Sequence, residues 1–169
     1  MTESIKKPVS VSIIGGSGYT GAELIRLLSK HPYFNLFQVV ANRNVGKKIQ
    51  TVFPHLRHLD LPDFISFEEM NFEDVELIFC ALPHATSQEI IVKIPQGKKI
   101  IDLSADFRLD RLEEYESWYG KKHIAPALQE KAVYGLTEIY KKKIKEGSLI
   151  ACTGCNSAAT LYPLIPLLS

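Results

Sequence analysis

Two cysteines lie three residues apart near the C-terminal end of the chain, within ACTGCNSAAT (151–160). Cysteines at this spacing can form a redox disulfide, supply half of a zinc site, or combine one catalytic thiol with a packed neighbour. A structural zinc site needs about four ligands. The chain has no second C-x-x-C, and its five histidines lie far from Cys152 and Cys155 in sequence. We therefore expect no metal here, and the redox pair and the single catalytic thiol stay open.

Cys155 has the sequence context of a nucleophile. Gly154 precedes it and an apolar, helix-like stretch follows, so the thiol would stand at a helix N-terminus. There the helix dipole and the free backbone amides favour the thiolate, and the same amides can stabilise an oxyanion. Cys152 would end the preceding strand with its side chain packed. A thiolate in this position can attack an acyl carbonyl and form a thioester, so Cys155 is the predicted catalytic residue.

A glycine-rich segment, GGSGYTG (15–21), lies where a predicted strand passes into a predicted helix. Gly16, Gly18 and Gly21 match G-x-G-x-x-G, which dinucleotide-binding folds carry at their first βα turn. The glycines allow a tight turn and a close approach of the backbone to a pyrophosphate, and the helix N-terminus adds free amides. An ordinary structural turn is the alternative, but the position after the first strand favours a dinucleotide site.

The second predicted strand leads into VVANRNVGKK (39–48), which lacks the acid that binds the ribose 2′-hydroxyl of NAD. Arg43 is found there instead, between Asn42 and Asn44. A guanidinium can form a charge-assisted, forked contact with a 2′-phosphate. The segment therefore predicts NADP, with an exposed loop arginine as the alternative.

The elements that would position these residues form an alternating pattern. Short apolar, β-branched runs predict strands at 8–16, 35–41, 75–82, 98–104 and 148–152. Helices are predicted at 20–31, 84–94 and 137–145, with Pro83 in the first turn of the second one. Apolar strands that alternate with amphipathic helices indicate an α/β fold with a parallel sheet covered on both faces.

Composition narrows the class of protein. A chain of 169 residues with 46% hydrophobic and 23% charged residues is typical of a globular protein with a real core. A net charge of +1 argues against nucleic-acid binding. No apolar run approaches the ~20 residues that a membrane span needs. The start MTESIKKPVS has no apolar signal core, and three cysteines do not make a disulfide framework, so we expect a cytoplasmic protein.

Five motifs give the chain a family resemblance: GGSGYTGAELIRLL, ALPHATS, IIDLSADFRL, YGLTEIY and GCNSAAT. Their order and spacing resemble the N-acetyl-γ-glutamyl-phosphate reductases over essentially the whole chain. The resemblance implies a doubly wound, Rossmann-like NADP-binding domain over residues 1–152, followed by a nucleophile loop and the start of a substrate domain over 153–169. It implies Cys155 as the nucleophile and NADPH as the cofactor. The implied cofactor contacts are Gly16, Ser17, Gly18, Tyr19, Thr20, Gly21, Asn42, Arg43, Asn44, Pro83 and His84.

The implied reaction is the NADPH-dependent reduction of an acyl phosphate to a semialdehyde in arginine biosynthesis, through a thioester on Cys155. Ser104 and Arg108, in DLSADFR, are predicted to hold the substrate phosphate, because the charge and forked geometry of Arg108 suit an oxyanion. An ion pair of Arg108 with a neighbouring aspartate, Asp106 or Asp110, is the alternative. Asn156 is the third predicted substrate residue.

The nucleophile motif departs from the arginine-pathway pattern. Those enzymes carry Pro-Gly-Cys-Tyr where this chain has Thr153-Gly154-Cys155-Asn156. Gly-Cys-Asn is more similar to the sister branch that reduces aminoadipyl or glutamyl phosphate attached to an amino-group carrier protein, which adds lysine biosynthesis to the expected pathways. A non-catalytic nucleotide-binding or redox-sensing module with a Cys152–Cys155 disulfide is the alternative of a different class.

Members of the family are about twice as long as this chain. Their second domain supplies a histidine for acid–base catalysis, most substrate contacts and a dimer interface. We therefore expect the chain to be the N-terminal part of a larger, homo-oligomeric enzyme, to lack turnover by itself, and to expose its apolar ending LYPLIPLLS.

Overall fold

The computed structural model describes residues 7–168 and consists of two compact units, Met1–Ala81 and Leu82–Ser169. The start of the chain, on which the cytoplasmic expectation rests, falls largely outside the described residues. Within residues 7–168, no helix has both the length and the apolar composition that a membrane crossing needs.

The first unit is built on four parallel strands. They are β1 (Val9–Ile14), β2 (Phe34–Val40), β3 (Phe64–Ile65) and β4 (Leu77–Cys80). β1 pairs with β2 and β4, and β2 pairs with β3, so the strand order is β3-β2-β1-β4. The first strand is therefore central, as it is in dinucleotide-binding folds.

The connections of the first unit are one long helix and several short ones. α1 (Tyr19–Leu28) joins β1 to β2, while α2 (Ile49–Val52) and two 3₁₀ turns, Asn42–Asn44 and Pro54–Leu56, lie between β2 and β3. α1 contacts both β1 and β2. It buries a face made by Gly21, Ala22, Ile25 and Leu28, whose spacing keeps them on one side of the helix. Burial of this face is what stabilises a helix of this length.

The second unit has three parallel strands with β7 in the middle. β5 (Lys99–Asp102) and β6 (Ala132–Gly135) each pair with β7 (Leu149–Cys152). The helices are α3 (Ser87–Ile91), α4 (Leu112–Tyr119), α5 (Pro126–Gln129), α6 (Thr137–Glu146) and α7 (Cys155–Leu168). Asp102 pairs with Ala151, and Gly135 pairs with Cys152. The carboxyl ends of all three strands therefore lie at one edge, where parallel sheets carry their sites.

The predicted elements are present with shifted bounds. All five predicted strands form, and so do the helices predicted at 20–31 and 137–145. The prediction that Pro83 begins a helix is wrong, because α3 starts at Ser87 and the Pro83 carbonyl accepts the Thr86 N–H (3.2 Å) in a separate turn. The pattern also missed β3, β6 and α4. At the end of α7, Leu164, Leu167 and Leu168 are exposed, as expected for the apolar ending.

Candidate active site

The glycine turn, residues 15–21, connects β1 to α1 in the first unit. Gly15 has a φ of 88°, a backbone conformation that favours glycine. The N–H groups of Gly15 and Gly16 both donate to the Val40 carbonyl, at 3.0 and 2.9 Å. The turn is thereby tied to the carboxyl end of β2.

The three glycines of the motif have different surroundings. A Cβ on Gly16 would lie 2.1 Å from Val39 Cγ1, and a Cβ on Gly21 would lie 2.6 Å from the Gly15 carbonyl oxygen. A Cβ on Gly18 would meet only the Gly15 oxygen, at 3.9 Å. Gly16 and Gly21 are therefore required for packing within the fold. Gly18 faces open space, where its missing side chain matters only for a ligand that approaches the backbone.

The N-terminus of α1 begins directly after Gly18. The N-cap residue is Gly18, which has no side chain to cap the helix amides, and the first turn of α1 carries no acidic residue. The first amides of a helix have no acceptor within the helix, so those of Tyr19, Thr20 and Gly21 can bind an anion. The side chains of Tyr19 and Thr20 are exposed, and Ser17 is half-buried.

The Asn42–Asn44 turn follows β2 at the same sheet edge. Arg43 is exposed and forms no ion pair among residues 7–168. Asn44 Oδ1 accepts a bond from Lys47 Nζ at 3.2 Å, and Asn42 is exposed. The structure thus brings the glycine turn and the predicted 2′-phosphate residues to the ends of two adjacent strands, β1 and β2.

In the second unit, the two cysteines of the C-x-x-C pair have different environments. Cys155 is the first residue of α7 and is exposed, whereas Cys152 ends β7 and is half-buried. Burial raises the pKa of the Cys152 thiol to about 11, and the nearby Asp102 charge adds to this rise. Cys152 is therefore protonated near neutral pH. Among the described residues, no group of three or more His, Cys, Asp or Glu side chains is arranged to hold a metal ion.

Arg108 lies against the cysteine turn, residues 153–155. Its Nε donates to the Cys152 carbonyl (2.6 Å) and its Nη2 donates to the Leu103 carbonyl (2.9 Å). A Cβ on Gly154 would lie 3.2 Å from Arg108 Nη1, so the guanidinium lies close to the backbone of this turn. Within the described part of the chain Arg108 forms no ion pair with Asp106 or Asp110, so the alternative of a neighbouring carboxylate does not hold. Among residues 7–168 Nη1 has no hydrogen-bond partner, so it can bind an anion near Gly154.

Ser104 and Asn156, the other two predicted substrate residues, differ in accessibility. Ser104 is 1% exposed, and its hydroxyl donates to Asp102 Oδ2 (2.6 Å) and accepts the Asp106 N–H (3.1 Å). Asn156 is exposed in the first turn of α7, with Oδ1 3.9 Å from Cys155 Sγ. A substrate can reach Asn156 directly, but Ser104 is occupied within the protein.

His84 is connected to the loop that carries Arg108. Its Nδ1 accepts the Ala105 N–H at 3.0 Å, and the residue is exposed. The next residue, Ala85, has a φ of 63°, which is strained for a residue with a Cβ. Its N–H donates to Asp106 Oδ1 at 2.6 Å. Strain of this kind concentrates at functional sites.

A buried polar network supports this loop and was not predicted from the sequence. The Asp106 carboxylate accepts bonds from the Gln88 N–H (3.1 Å) and the Tyr115 hydroxyl (3.0 Å), in addition to Ala85. His123 Nε2 lies 3.0 Å from the Asp106 carbonyl oxygen, and His123 Nδ1 accepts the Ala125 N–H (3.2 Å). Nε2 must therefore carry the proton of a neutral imidazole. The only sequence signal was an aspartate between apolar neighbours in SADF.

Comparisons with known proteins identify the family. The family model described as semialdehyde dehydrogenase, NAD binding domain, matches residues 10–147. The chain belongs to this family. The fold class expected from the sequence, an α/β fold with a doubly wound, Rossmann-like parallel sheet, is confirmed by the parallel strands with the first strand in a central position and by this match.

Curated relatives agree with the resemblance seen in the motifs. The chain is 53% identical over 159 residues to an N-acetyl-gamma-glutamyl-phosphate reductase of Cereibacter sphaeroides, covering 94% of this chain and 46% of that protein. It is 48% identical over 163 residues to a probable chloroplastic N-acetyl-gamma-glutamyl-phosphate reductase of Arabidopsis thaliana, covering 96% and 41%. The chain spans about half the length of the curated relatives it matches.

Solved structures share the fold at low identity. An aspartate semialdehyde dehydrogenase II from Vibrio cholerae, complexed with ASA, matches with a TM-score of 0.67 and 16% identity over 95% of this chain and 46% of that chain. An aspartate semialdehyde dehydrogenase with NADP from Candida albicans matches with a TM-score of 0.67 and 19% identity, over 96% and 47%. At these identities the likeness shows the fold alone.

Proposed function

We propose that the protein acts as an NADPH-dependent reductase that converts N-acetyl-γ-glutamyl phosphate to its semialdehyde in arginine biosynthesis. The observation that carries this proposal is the exposed Cys155 at the start of α7, with the Arg108 guanidinium against the preceding Gly154. The relatives named as N-acetyl-gamma-glutamyl-phosphate reductases support the choice of substrate. We assign residues 1–152 to NADP binding and 153–169 to the nucleophile loop and the start of a substrate domain.

The glycine turn fits a dinucleotide. Gly18 leaves its backbone open to a ligand, and the uncapped amides at the start of α1 suit the pyrophosphate. Arg43, between Asn42 and Asn44, would bind the 2′-phosphate. When bound, NADPH supplies the hydride that reduces the thioester. Pro83 and His84 complete the proposed set of contacts on the nicotinamide side.

Cys155 carries out the covalent chemistry in this proposal. Its thiolate attacks the acyl carbonyl carbon, the bond from that carbon to the phosphate oxygen breaks, and inorganic phosphate leaves as the thioester forms. The first amides of α7 stabilise the oxyanion, and Arg108 Nη1 binds the departing phosphate. After reduction the carbon–sulfur bond of the thiohemiacetal breaks, which releases the aldehyde and restores the thiolate.

The identity of the group on the substrate nitrogen has a second candidate. Thr153-Gly154-Cys155-Asn156 favours aminoadipyl or glutamyl phosphate linked to an amino-group carrier protein, with Asn156 as a substrate contact. We assign Ser104 to supporting Asp102, because the Ser104 hydroxyl already donates to the Asp102 carboxylate. An assay of the full-length gene product with free and with carrier-linked acyl phosphate distinguishes these two candidate substrates. Size-exclusion measurement of the same protein tests the proposed homo-oligomer.

The assignment of Cys155 as the nucleophile is tested by comparing serine variants of Cys155 and Cys152. In the full-length protein, Cys155→Ser is expected to abolish acyl-phosphate reduction and to leave NADPH binding intact. Cys152→Ser is the matched control, and it should retain most of the turnover because the Cys152 thiol is protonated near neutral pH. Turnover is followed by NADPH oxidation, and binding by titration of its fluorescence.

Equal loss of activity in both variants would contradict a single nucleophile and favour a redox pair. Peptide mapping after alkylation provides a second test, because it shows which of the two cysteines is labelled first. A redox pair should label first at Cys152, whereas the proposed reductase should label first at Cys155.

A further inference from the structure

Tyr134 is attached to the cysteine turn from the strand at the edge of the second unit. Its hydroxyl lies 2.7 Å from Thr153 Oγ1, and either atom can be the donor. Thr153 is two residues before Cys155 and directly follows Cys152, whose carbonyl accepts the bond from Arg108 Nε. The turn that leads into the proposed nucleophile is therefore held from two sides, by Arg108 and by Tyr134.

The backbone brings Tyr134 within reach of the turn. Gly135 pairs with Cys152, and a Cβ on Gly135 would lie 2.8 Å from Cys152 Cα and 2.9 Å from the Ala151 carbonyl oxygen. This close approach is possible only without a side chain, and it sets the end of β6 tightly against the end of β7. One residue earlier, Tyr134 can then extend its hydroxyl past the end of β7 to Thr153.

The ring of Tyr134 is oriented by α6. It meets the Tyr140 ring edge-on at a centroid separation of 6.3 Å, and Lys143 Nζ lies 5.6 Å from the Tyr140 ring centroid. Tyr140 interrupts α6 with a non-helical φ/ψ of −106°/22°. Tyr134 and Tyr140 line a cleft of about 400 Å³ together with Arg108, Ser157 and Leu161. The tyrosine hydroxyl thus meets Thr153 at the wall of an open cleft and not in the core.

We propose that Tyr134 is a positioning residue that, through Thr153, sets the turn leading into Cys155. The proposal deepens the proposed function, because it concerns the same thiol. Thr153 and Gly154 are the two residues between the end of β7 and the start of α7, so a shift of Thr153 is transmitted through Gly154 to Cys155. Loss of the hydroxyl–hydroxyl bond therefore loosens the turn that leads into Cys155, while the thiol and the Arg108 guanidinium remain in the protein.

The experiment measures the rate at which iodoacetamide labels Cys155 at pH 7 in the full-length protein, by peptide mapping. Tyr134→Phe is expected to slow labelling by about two- to tenfold, the range for loss of one neutral hydrogen bond. Thr153→Val should slow labelling at least as much, because Thr153 Oγ1 also donates to the Gly154 carbonyl at 3.4 Å. The double variant should be no slower than Thr153→Val, and Thr153→Ser should retain the wild-type rate. Tyr140→Phe is the matched control, since the Tyr140 hydroxyl has no hydrogen-bond partner within residues 7–168.

The outcomes separate this proposal from the proposed function. A wild-type labelling rate in Tyr134→Phe, additive effects in the double variant, or a Thr153→Ser rate as low as that of Thr153→Val would each overturn the positioning role. Labelling does not depend on the substrate. It therefore measures the coupling between Tyr134 and Cys155 even if Cys155→Ser shows that the reductase assignment is wrong. If both proposals hold, Tyr134→Phe also lowers kcat by a similar factor and leaves the KM for NADPH unchanged.

Discussion

At the scale of single residues, the proposed preference for NADPH over NADH rests on the charge of Arg43. Arg43 is exposed beside the end of β2 and forms no ion pair in the described part of the chain, so its guanidinium is free for a 2′-phosphate. We expect Arg43→Ala to weaken NADPH binding by about 1.5–3 kcal/mol and to leave NADH binding unchanged, because only NADPH carries the phosphate. Fluorescence titration of both cofactors measures this. The control is Lys30→Ala, which removes an exposed cation beyond the C-terminal end of α1. Equal titration curves for NADPH and NADH in the unmutated protein would contradict the assignment of Arg43 to the 2′-phosphate.

At the scale of elements, His123 links the loop after β5 to α4 and α5. It is 6% exposed and meets the Phe107 and Tyr115 rings edge-on, at centroid separations of 5.3 and 5.1 Å. Burial lowers the pKa of His123 below its usual 6.5, against a smaller opposite effect of Asp106. The unfolded chain therefore binds a proton below about pH 6.5 that the folded protein does not. We expect the free energy of unfolding to fall as the pH is lowered from 7 to 5.5, by at most about 1.4 kcal/mol per pH unit from this group.

Denaturant unfolding at several pH values tests the contribution of His123. His123→Gln should lower stability at pH 7 and flatten the dependence on pH, because the group that takes up the proton is gone. His58→Gln replaces an exposed imidazole and should keep the wild-type slope. An unchanged slope in His123→Gln would place the acid sensitivity elsewhere.

At the scale of the whole molecule, the chain spans about half the length of its curated relatives. We expect residues 1–169 by themselves to bind NADPH and to label at Cys155 but to show no reductase turnover. General acid–base help contributes typically ~10²–10⁴-fold, and substrate positioning adds to it; the resemblance assigns both to the second half of such proteins. A steady-state assay of NADPH oxidation with the acyl phosphate measures this, with the full-length protein as the reference. Turnover within tenfold of that reference would mean that the active site is complete in this chain.

The sequence by itself determined the features that depend on neighbours along the chain. β1, α1 and β2 could be predicted because short apolar, β-branched runs and helical apolar spacing are local patterns. The glycine turn could be predicted because G-x-G-x-x-G restricts the backbone within six residues, and Gly16 and Gly21 do pack where a Cβ would collide. The position of Cys155 at a helix N-terminus was equally local, since Gly154 and the apolar stretch after it are adjacent to it.

Only the tertiary structure decided which distant residues meet. β6 was missed because its side chains are mostly half-buried and give no continuous apolar run, so pairing with β7 defines it. The Asp106 network and the Arg108 contacts join residues from 5 to 44 positions apart, and Tyr134 meets Thr153 across 19. No periodic pattern encodes such pairs, because they depend on strand register and on where each loop ends. Residue types therefore predicted which chemistry was available, and the packing of strands and loops decided which side chains lie beside the thiol.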